Sequence, residues 1–125
     1  MRLRVLLPFS VFLSAEASRV WAESAREHFT LLPRRRDLVT ALAPGILGYA
    51  GPEGVRHLAI DGGILVKAGD EVAVATRRAA AGELGTLRRE VERMLSEEDE
   101  RERTARSAVA RMEAAFVRGL LEFSR

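Results

Sequence analysis

The chain has 125 residues, of which 47% are hydrophobic and 30% charged, and this composition predicts one soluble globular unit with room for a small appendage. Disulfides and thiolate metal sites are excluded because the sequence contains no cysteine. Twenty basic residues against eighteen acidic ones leave a net charge of only +2, a balance too even to indicate a nucleic-acid partner.

The first seventeen residues fit two interpretations. Basic residues at the start, then an apolar run over 5–13 and small residues after it, outline a secretory signal peptide. The alternation of residues over 2–7 is also typical of a half-buried opening β-strand. We favour the strand, because Pro8 and Ser10 interrupt the apolar run.

The chain up to residue 82 consists of short runs with a period near two, for example 55–60 and 72–76, and this period is typical of strands. Clusters of glycine with proline or aspartate supply turns between them, because these residues suit tight hairpins. The clusters are 51–54, 61–63 and 68–70. The pattern predicts an antiparallel β-sandwich or barrel over residues 1–82.

From residue 83 onward the period becomes that of a helix. One apolar stripe ends near Leu95, and Ser96 followed by acidic residues predicts the start of a second helix. The stripe of this second helix consists of Ala105, Ala108, Val109, Met112, Phe116, Leu120 and Phe123. We therefore expect a two-helix antiparallel hairpin over 83–125, and an α+β fold class for the whole chain.

The sequence predicts no catalytic chemistry, cofactor or metal site. The only histidines, His28 and His57, have no partner at a ligand spacing, and no serine lies in a nucleophile elbow. The segment 61–63 lacks the spacing of a phosphate-binding loop and is better interpreted as a hairpin turn.

Three consecutive arginines, Arg34, Arg35 and Arg36, follow Pro33 and form the sharpest charge feature. They fit either a solvated loop or a contact with phosphates or an acidic partner surface. No aromatic residue is interleaved with them, which argues against nucleic acid. The residues alone thus indicate a noncatalytic β-sandwich with a helical hairpin, either a subunit or an adaptor.

Three blocks in order, 31–33, 37–47 and 59–67, resemble the motifs of the epsilon subunits of F-type ATP synthases. The opening strand also resembles that of the family, which weakens the signal-peptide interpretation. The resemblance extends over essentially the whole chain, since the family carries a C-terminal two-helix domain. The segment 99–123 is most similar to epsilon subunits of the alternate F-type ATPases, which are often suspected of moving sodium.

The resemblance implies a noncatalytic rotor subunit at the foot of the central stalk. In the family this subunit binds the gamma subunit and the c ring, and it couples ion translocation to ATP synthesis or hydrolysis. It uses no cofactor. It is associated with the membrane only through the complex, at the cytoplasmic face of the cell membrane. Competing interpretations are a freestanding adaptor or inhibitory module of the same fold, and a secreted β-sandwich domain.

The resemblance also implies which residues face the c ring, from their positions in the corresponding loop of the family. They are His28, Thr30, Pro33, Arg34, Arg35 and Arg36. The sequence departs from the family motif here, because Glu27 and Thr30 replace glycines and Arg35 replaces a histidine. Loss of the glycines removes tolerance for positive φ, so the course of the loop is expected to differ.

The C-terminal helices of the family can extend along gamma and block rotation. The resemblance therefore implies contacts with an acidic loop of the catalytic beta subunit through Arg101, Arg103, Arg106 and Arg111. Some bacterial members bind ATP in this region, but residues 99–105 do not fit that motif. We expect no ATP site.

Overall fold

The structure, a computed structural model, describes residues 1–123 and the side chains of 1–122; Ser124, Arg125 and the Phe123 side chain of the predicted hairpin lie outside the described part. In chain order the elements are β1 Arg2–Leu7, β2 Ser10–Glu16, β3 Arg19–Ser24, β4 His28–Leu31, β5 Leu38–Gly51, β6 Gly54–Ala68, β7 Glu71–Ala75, β8 Ala79–Ala81 and α1 Leu84–Phe123. The predicted opening strand is confirmed by β1.

The strands pair along one path in the order β2-β1-β7-β6-β5-β3-β4, and β8 pairs with β6. Among the described strands, β1 and β7 pair in parallel and the other pairs are antiparallel. The predicted β architecture is therefore confirmed, with one parallel pair as a departure from it. In this pair β1, which also pairs with its hairpin neighbour β2, lies beside a strand that is distant in sequence.

The core forms because alternate side chains of the strands point to the same side. Leu3 and Val5 of β1 are fully buried, as are Val72 and Val74 of β7. Further members of this cluster are Val20, Ala22, Leu31, Leu42, Leu47, Leu58, Ile60 and Leu65. Burial of each large aliphatic side chain contributes about 1.5–3 kcal/mol, so this cluster supplies most of the drive to fold.

The longest strands, β5 and β6, form a continuous antiparallel ribbon from Leu38 opposite Lys67 to Gly51 opposite Gly54. The predicted turn at 51–54 is confirmed, because only two residues connect the strands. The predicted turn at 68–70 is confirmed as well, and Gly69 has the positive φ of 59° that such a turn needs.

The hairpin turn predicted at 61–63 is wrong, because these residues lie inside β6. Gly62 and Gly63 have φ values of 67° and 126°. Before them β6 pairs with β8, and after them it pairs with β7. A side chain at Gly63 would collide with the Ala75 carbonyl. The two glycines therefore serve a bend at which one strand changes partners, not a reversal of the chain.

The predicted two-helix hairpin is also wrong, because α1 runs without a break from Leu84 to Phe123. Residues 96–104 contain neither glycine nor proline. Three acidic residues stand four positions before arginines, a spacing that stabilises a continuing helix. The pairs in sequence are Glu97 with Arg101, Asp99 with Arg103, and Glu102 with Arg106. Ser96 lies inside the helix, where a capping signal has no effect.

The first turns of α1 pack on the strands. Leu87 and Met94 are 0% and 2% exposed, and they form a second apolar cluster with Ile46 and Ala59. Because Leu47 points into the main core, its neighbour Ile46 points to the opposite face of the ribbon. The start of α1 therefore covers the outer face of β5 and β6.

The chain divides into two units, Met1–Met94 and a second unit from Leu95 onward. Within the second unit the apolar side chains are accessible: Val109, Met112 and Phe116 are 53%, 71% and 68% exposed. Within residues 1–123 no helix combines the length and apolarity needed to cross a membrane.

We expect Leu87→Ala to lower the free energy of unfolding by about 2–5 kcal/mol, because a fully buried leucine leaves a cavity between α1 and the ribbon. Leu121→Ala is the matched control on the same helix, since Leu121 is 60% exposed. It should change stability by no more than about 0.5 kcal/mol. Urea unfolding of both variants checks this, and equal losses would contradict the packing described.

Candidate functional site

The predicted arginine cluster lies in a short turn between β4 and β5, here called the arginine turn (Pro33–Arg36). The Arg35 N–H donates to the Leu32 carbonyl at 3.1 Å and closes the turn. The side chains of Arg34, Arg35 and Arg36 are all exposed. The turn therefore presents three guanidinium groups to solvent or to a partner.

A buried cation lies under this turn. Lys67 of β6 is 1% exposed, and its Nζ donates to the carbonyl oxygens of Arg35 at 2.8 Å, Gly69 at 3.2 Å and Pro33 at 3.5 Å. The register of β6 directs this side chain to the same side as Leu65. Sequence reasoning assigned no role to Lys67 and missed this contact.

A second contact ties the arginine turn to the β6–β7 connection. The Gly69 N–H donates to Asp37 Oδ1 at 2.8 Å, just after the turn. The segment 33–37 is thus fixed to residues 67–69 from both directions, by a lysine that donates and by an aspartate that accepts. An exposed charged loop is ordinarily mobile, so this fixation is a distinct property of the site.

His28 and Thr30 lie on β4, at the end of the strand path. Their strand partners on β3 are Glu23 and Trp21. His28 Nε2 lies 3.4 Å from Glu23 Oε1, and both predicted residues are exposed. Among residues 1–123 no hydrogen bond joins either of them to the arginine turn, so the predicted loop consists of a strand and a separate turn.

The departure from the family motif at Glu27 is accommodated by a side-chain contact. Ser24 Oγ accepts from the Glu27 N–H at 3.2 Å, and the Ser24 N–H donates to the Glu27 carbonyl at 2.9 Å. Over the described residues no residue other than glycine has a positive φ. The connection of β3 to β4 therefore closes without the glycine that the family motif carries.

The arginines predicted to contact a catalytic subunit lie on α1 in the second unit. Arg101, Arg103, Arg106 and Arg111 are all exposed. At 100° per residue their positions are spread around the helix and do not form one stripe. Arg103 and Arg106, three residues apart, are the pair that lie on one side.

A buried ion pair that sequence reasoning missed lies near the bend of β6. Asp61 is 4% exposed, and its Oδ2 accepts from Arg78 Nε at 3.1 Å and lies 3.5 Å from an Arg77 nitrogen. The Asp61 N–H also donates to the Arg78 carbonyl at 3.0 Å. These bonds fix the segment that leads into β8 and α1. No cluster of metal ligands occurs among residues 1–123.

The sequence of the sandwich decides the family. Residues 1–82 match the profile described as "ATP synthase, Delta/Epsilon chain, beta-sandwich domain". The chain belongs to the delta/epsilon family of ATP synthase subunits. The matched range contains the strands, the arginine turn and Lys67, so the described geometry is that of a delta/epsilon sandwich.

Two relatives support this assignment along nearly the whole chain. The chain is 37% identical over 123 residues to "ATP synthase epsilon chain 2" of Cereibacter sphaeroides, covering 95% of this chain and 84% of the relative. It is 32% identical over 129 residues to "ATP synthase epsilon chain 2" of Paraburkholderia xenovorans, covering 100% and 93%. The predicted resemblance to an F-type epsilon subunit of the alternate kind is confirmed.

The fold is also similar to a chain in the cryo-EM structure of the Tetrahymena thermophila mitochondrial ATP synthase central stalk and c-ring. The TM-score is 0.55 at 16% identity, covering 65% of this chain and 66% of that chain. At this identity the likeness concerns the fold alone.

We expect the triple substitution Arg34→Ala, Arg35→Ala, Arg36→Ala to leave the fold intact. All three side chains are exposed, and the hydrogen bonds that hold the turn involve its backbone N–H and carbonyl groups, not the guanidinium groups. The free energy of unfolding should change by no more than about 0.5 kcal/mol. Urea unfolding measures it, and a loss several times larger would mean that the guanidinium groups themselves hold the turn.

Proposed function

We propose that the chain is the noncatalytic epsilon subunit of the rotor of an F-type ATP synthase. In this role it binds the gamma subunit and the c ring and couples ion translocation through the c ring to ATP synthesis or hydrolysis. The observation that carries the proposal is the family match over residues 1–82, extended by relatives whose length the chain nearly spans. The complex would hold it at the cytoplasmic face of the cell membrane.

The physical task of such a subunit is to transmit torque without deforming. A close-packed interior has low compressibility and passes strain on. The strands of the first unit enclose a core of fully buried aliphatic side chains, and the start of α1 covers their outer face. This construction supports a rigid link between two rotor partners, in which residues 1–82 make the contacts.

We propose the arginine turn, with His28 and Thr30 on the neighbouring strand, as the surface that meets the c ring. Exposed guanidinium groups pair with carboxylates or polar loop atoms, and opposite charge steers the encounter. The fixed backbone of segment 33–37 supports this role, since a held turn presents its charges in one arrangement.

For residues 83–125 we propose a regulatory helical region attached to the sandwich by its first turns. Exposed apolar side chains such as Met112 and Phe116, next to exposed arginines, suit a surface that is covered by another subunit. We propose contact with an acidic loop of the catalytic beta subunit, which would inhibit rotation. The runner-up function is a freestanding adaptor or inhibitory module of the same fold.

The intact chain is expected to form a 1:1 complex with the gamma subunit of its own operon, and the pair is expected to bind the c ring. The triple arginine-to-alanine variant should keep gamma and lose about tenfold in c-ring affinity, since each exposed ion pair is worth about 0.2–1 kcal/mol. Gel filtration and binding titrations at two salt concentrations measure this. Failure to bind a folded gamma subunit would favour the freestanding module.

Replacement of Arg101, Arg103, Arg106 and Arg111 by glutamine should raise ATP hydrolysis by the assembled enzyme. A rise of about fivefold corresponds to the lower end of ordinary coupling energies between sites. The matched control replaces Arg88 and Arg89, exposed arginines of the first turns, and should leave the rate unchanged. Equal rates for both variants and the parent would count against an inhibitory contact.

A further inference from the structure

The only lysine of the chain is buried in a cage of backbone carbonyl groups. An ammonium group has three N–H donors, and Lys67 directs them to the three carbonyls of Pro33, Arg35 and Gly69. No carboxylate within residues 1–123 forms an ion pair with it. The cage alone therefore compensates a full buried charge.

The choice of lysine is informative in this sequence. Every other Lys/Arg position of the chain is an arginine. The guanidinium group is a flat fork that suits carboxylates, whereas the ammonium group is a compact charge whose donors diverge from one point. Three carbonyls that converge on one atom need the second geometry. Burial of a cation without a carboxylate partner is costly, and the three carbonyl acceptors offset part of that cost here.

The segment held by Lys67 is the arginine turn. Two of the three carbonyls belong to Pro33 and Arg35, and Asp37 adds the bond from the Gly69 N–H. The backbone oxygens face inward to the lysine while the guanidinium groups remain exposed. A backbone fixed before binding loses less conformational entropy when a partner arrives.

We propose that Lys67 is a positioning residue, which holds the arginine turn so that Arg34, Arg35 and Arg36 meet an acidic protein surface together. The inference rests on the proposed contact with the c ring and adds the residue that shapes it. A protein surface is favoured over anionic lipid, because mobile headgroups adapt to a flexible cation cluster and gain nothing from a fixed turn.

The test compares Lys67→Met, which keeps the length of the side chain and removes the donors, with Arg56→Met as a matched control on β6. Arg56 is exposed, and its ion pair among the described residues is with Glu53 at 3.5 Å. In the full chain bound to its gamma subunit, Lys67→Met should weaken c-ring binding about tenfold, and Arg56→Met should leave it unchanged. Binding to gamma alone should be the same for both variants.

A double-mutant cycle separates positioning from general stability. The triple arginine-to-alanine change should cost about tenfold in c-ring affinity in the parent chain, but less than about twofold in the Lys67→Met background. A purely structural lysine would leave the two costs equal, and that result would overturn the proposal. Unchanged binding of folded Lys67→Met would overturn it too.

Hydrogen exchange of the isolated full chain tests the clamp without a partner. Amides of residues 34–37 and 67–70 should exchange about tenfold faster in Lys67→Met, while those of β1 are unaffected. If Lys67→Met does not fold, Lys67→Gln takes its place, since a shorter side-chain amide with two N–H donors cannot satisfy the three carbonyls. It should speed exchange in the same segments and weaken c-ring binding, and unchanged values of both would overturn the proposal.

The same measurements distinguish this inference from the function on which it rests. If the parent chain binds gamma but not the c ring, the proposed c-ring contact fails, and the exchange experiment still reports whether Lys67 holds the turn. If the chain bound phosphatidylglycerol vesicles as tightly as the c ring, and the triple arginine-to-alanine variant lost this binding, the turn would be assigned to lipid. That result would overturn the proposal of a protein partner.

Discussion

From Leu38 opposite Lys67 to Gly51 opposite Gly54, β5 and β6 keep one register, and the core and the arginine turn both take their positions from it. A slip by one residue would exchange the two faces of the ribbon. Leu47 would then leave the main core, and Lys67 would point away from the carbonyls that it now binds. Stability and the candidate site therefore depend on the same pairing.

The turns that are purely local could be predicted from sequence, as at 51–54 and 68–70. The segment 61–63 has the same residue types, yet its glycines form a bend, because β8 pairs with β6 before them and β7 pairs with β6 after them. A local sequence pattern does not show which other strands pair with a segment, so it could not predict this bend. The helical period after residue 83 is also predictable, but the capping signal at Ser96 is weaker than the unbroken run of helix-forming residues around it.

The exposed charged residues of the candidate site could be predicted from sequence, whereas its buried polar residues could not. The three arginines stand together in sequence and are exposed, so composition alone finds them. Lys67 and Asp61 occupy strand positions otherwise held by apolar side chains, and their functional partners lie elsewhere in the chain: Lys67 binds Arg35, 32 residues away. Only the tertiary structure reveals that a polar residue in such a position holds a loop or a linker.

The carbonyl cage has a consequence for covalent control of the protein. Acetylation and isopeptide attachment act on side-chain amines, and this sequence has a single one, which is 1% exposed. The folded chain thus offers such enzymes, or an acylating reagent, no accessible side-chain amine. The arginine turn displays guanidinium groups, which amine-directed reactions do not modify. Such reactions therefore cannot neutralise the exposed turn in the folded state.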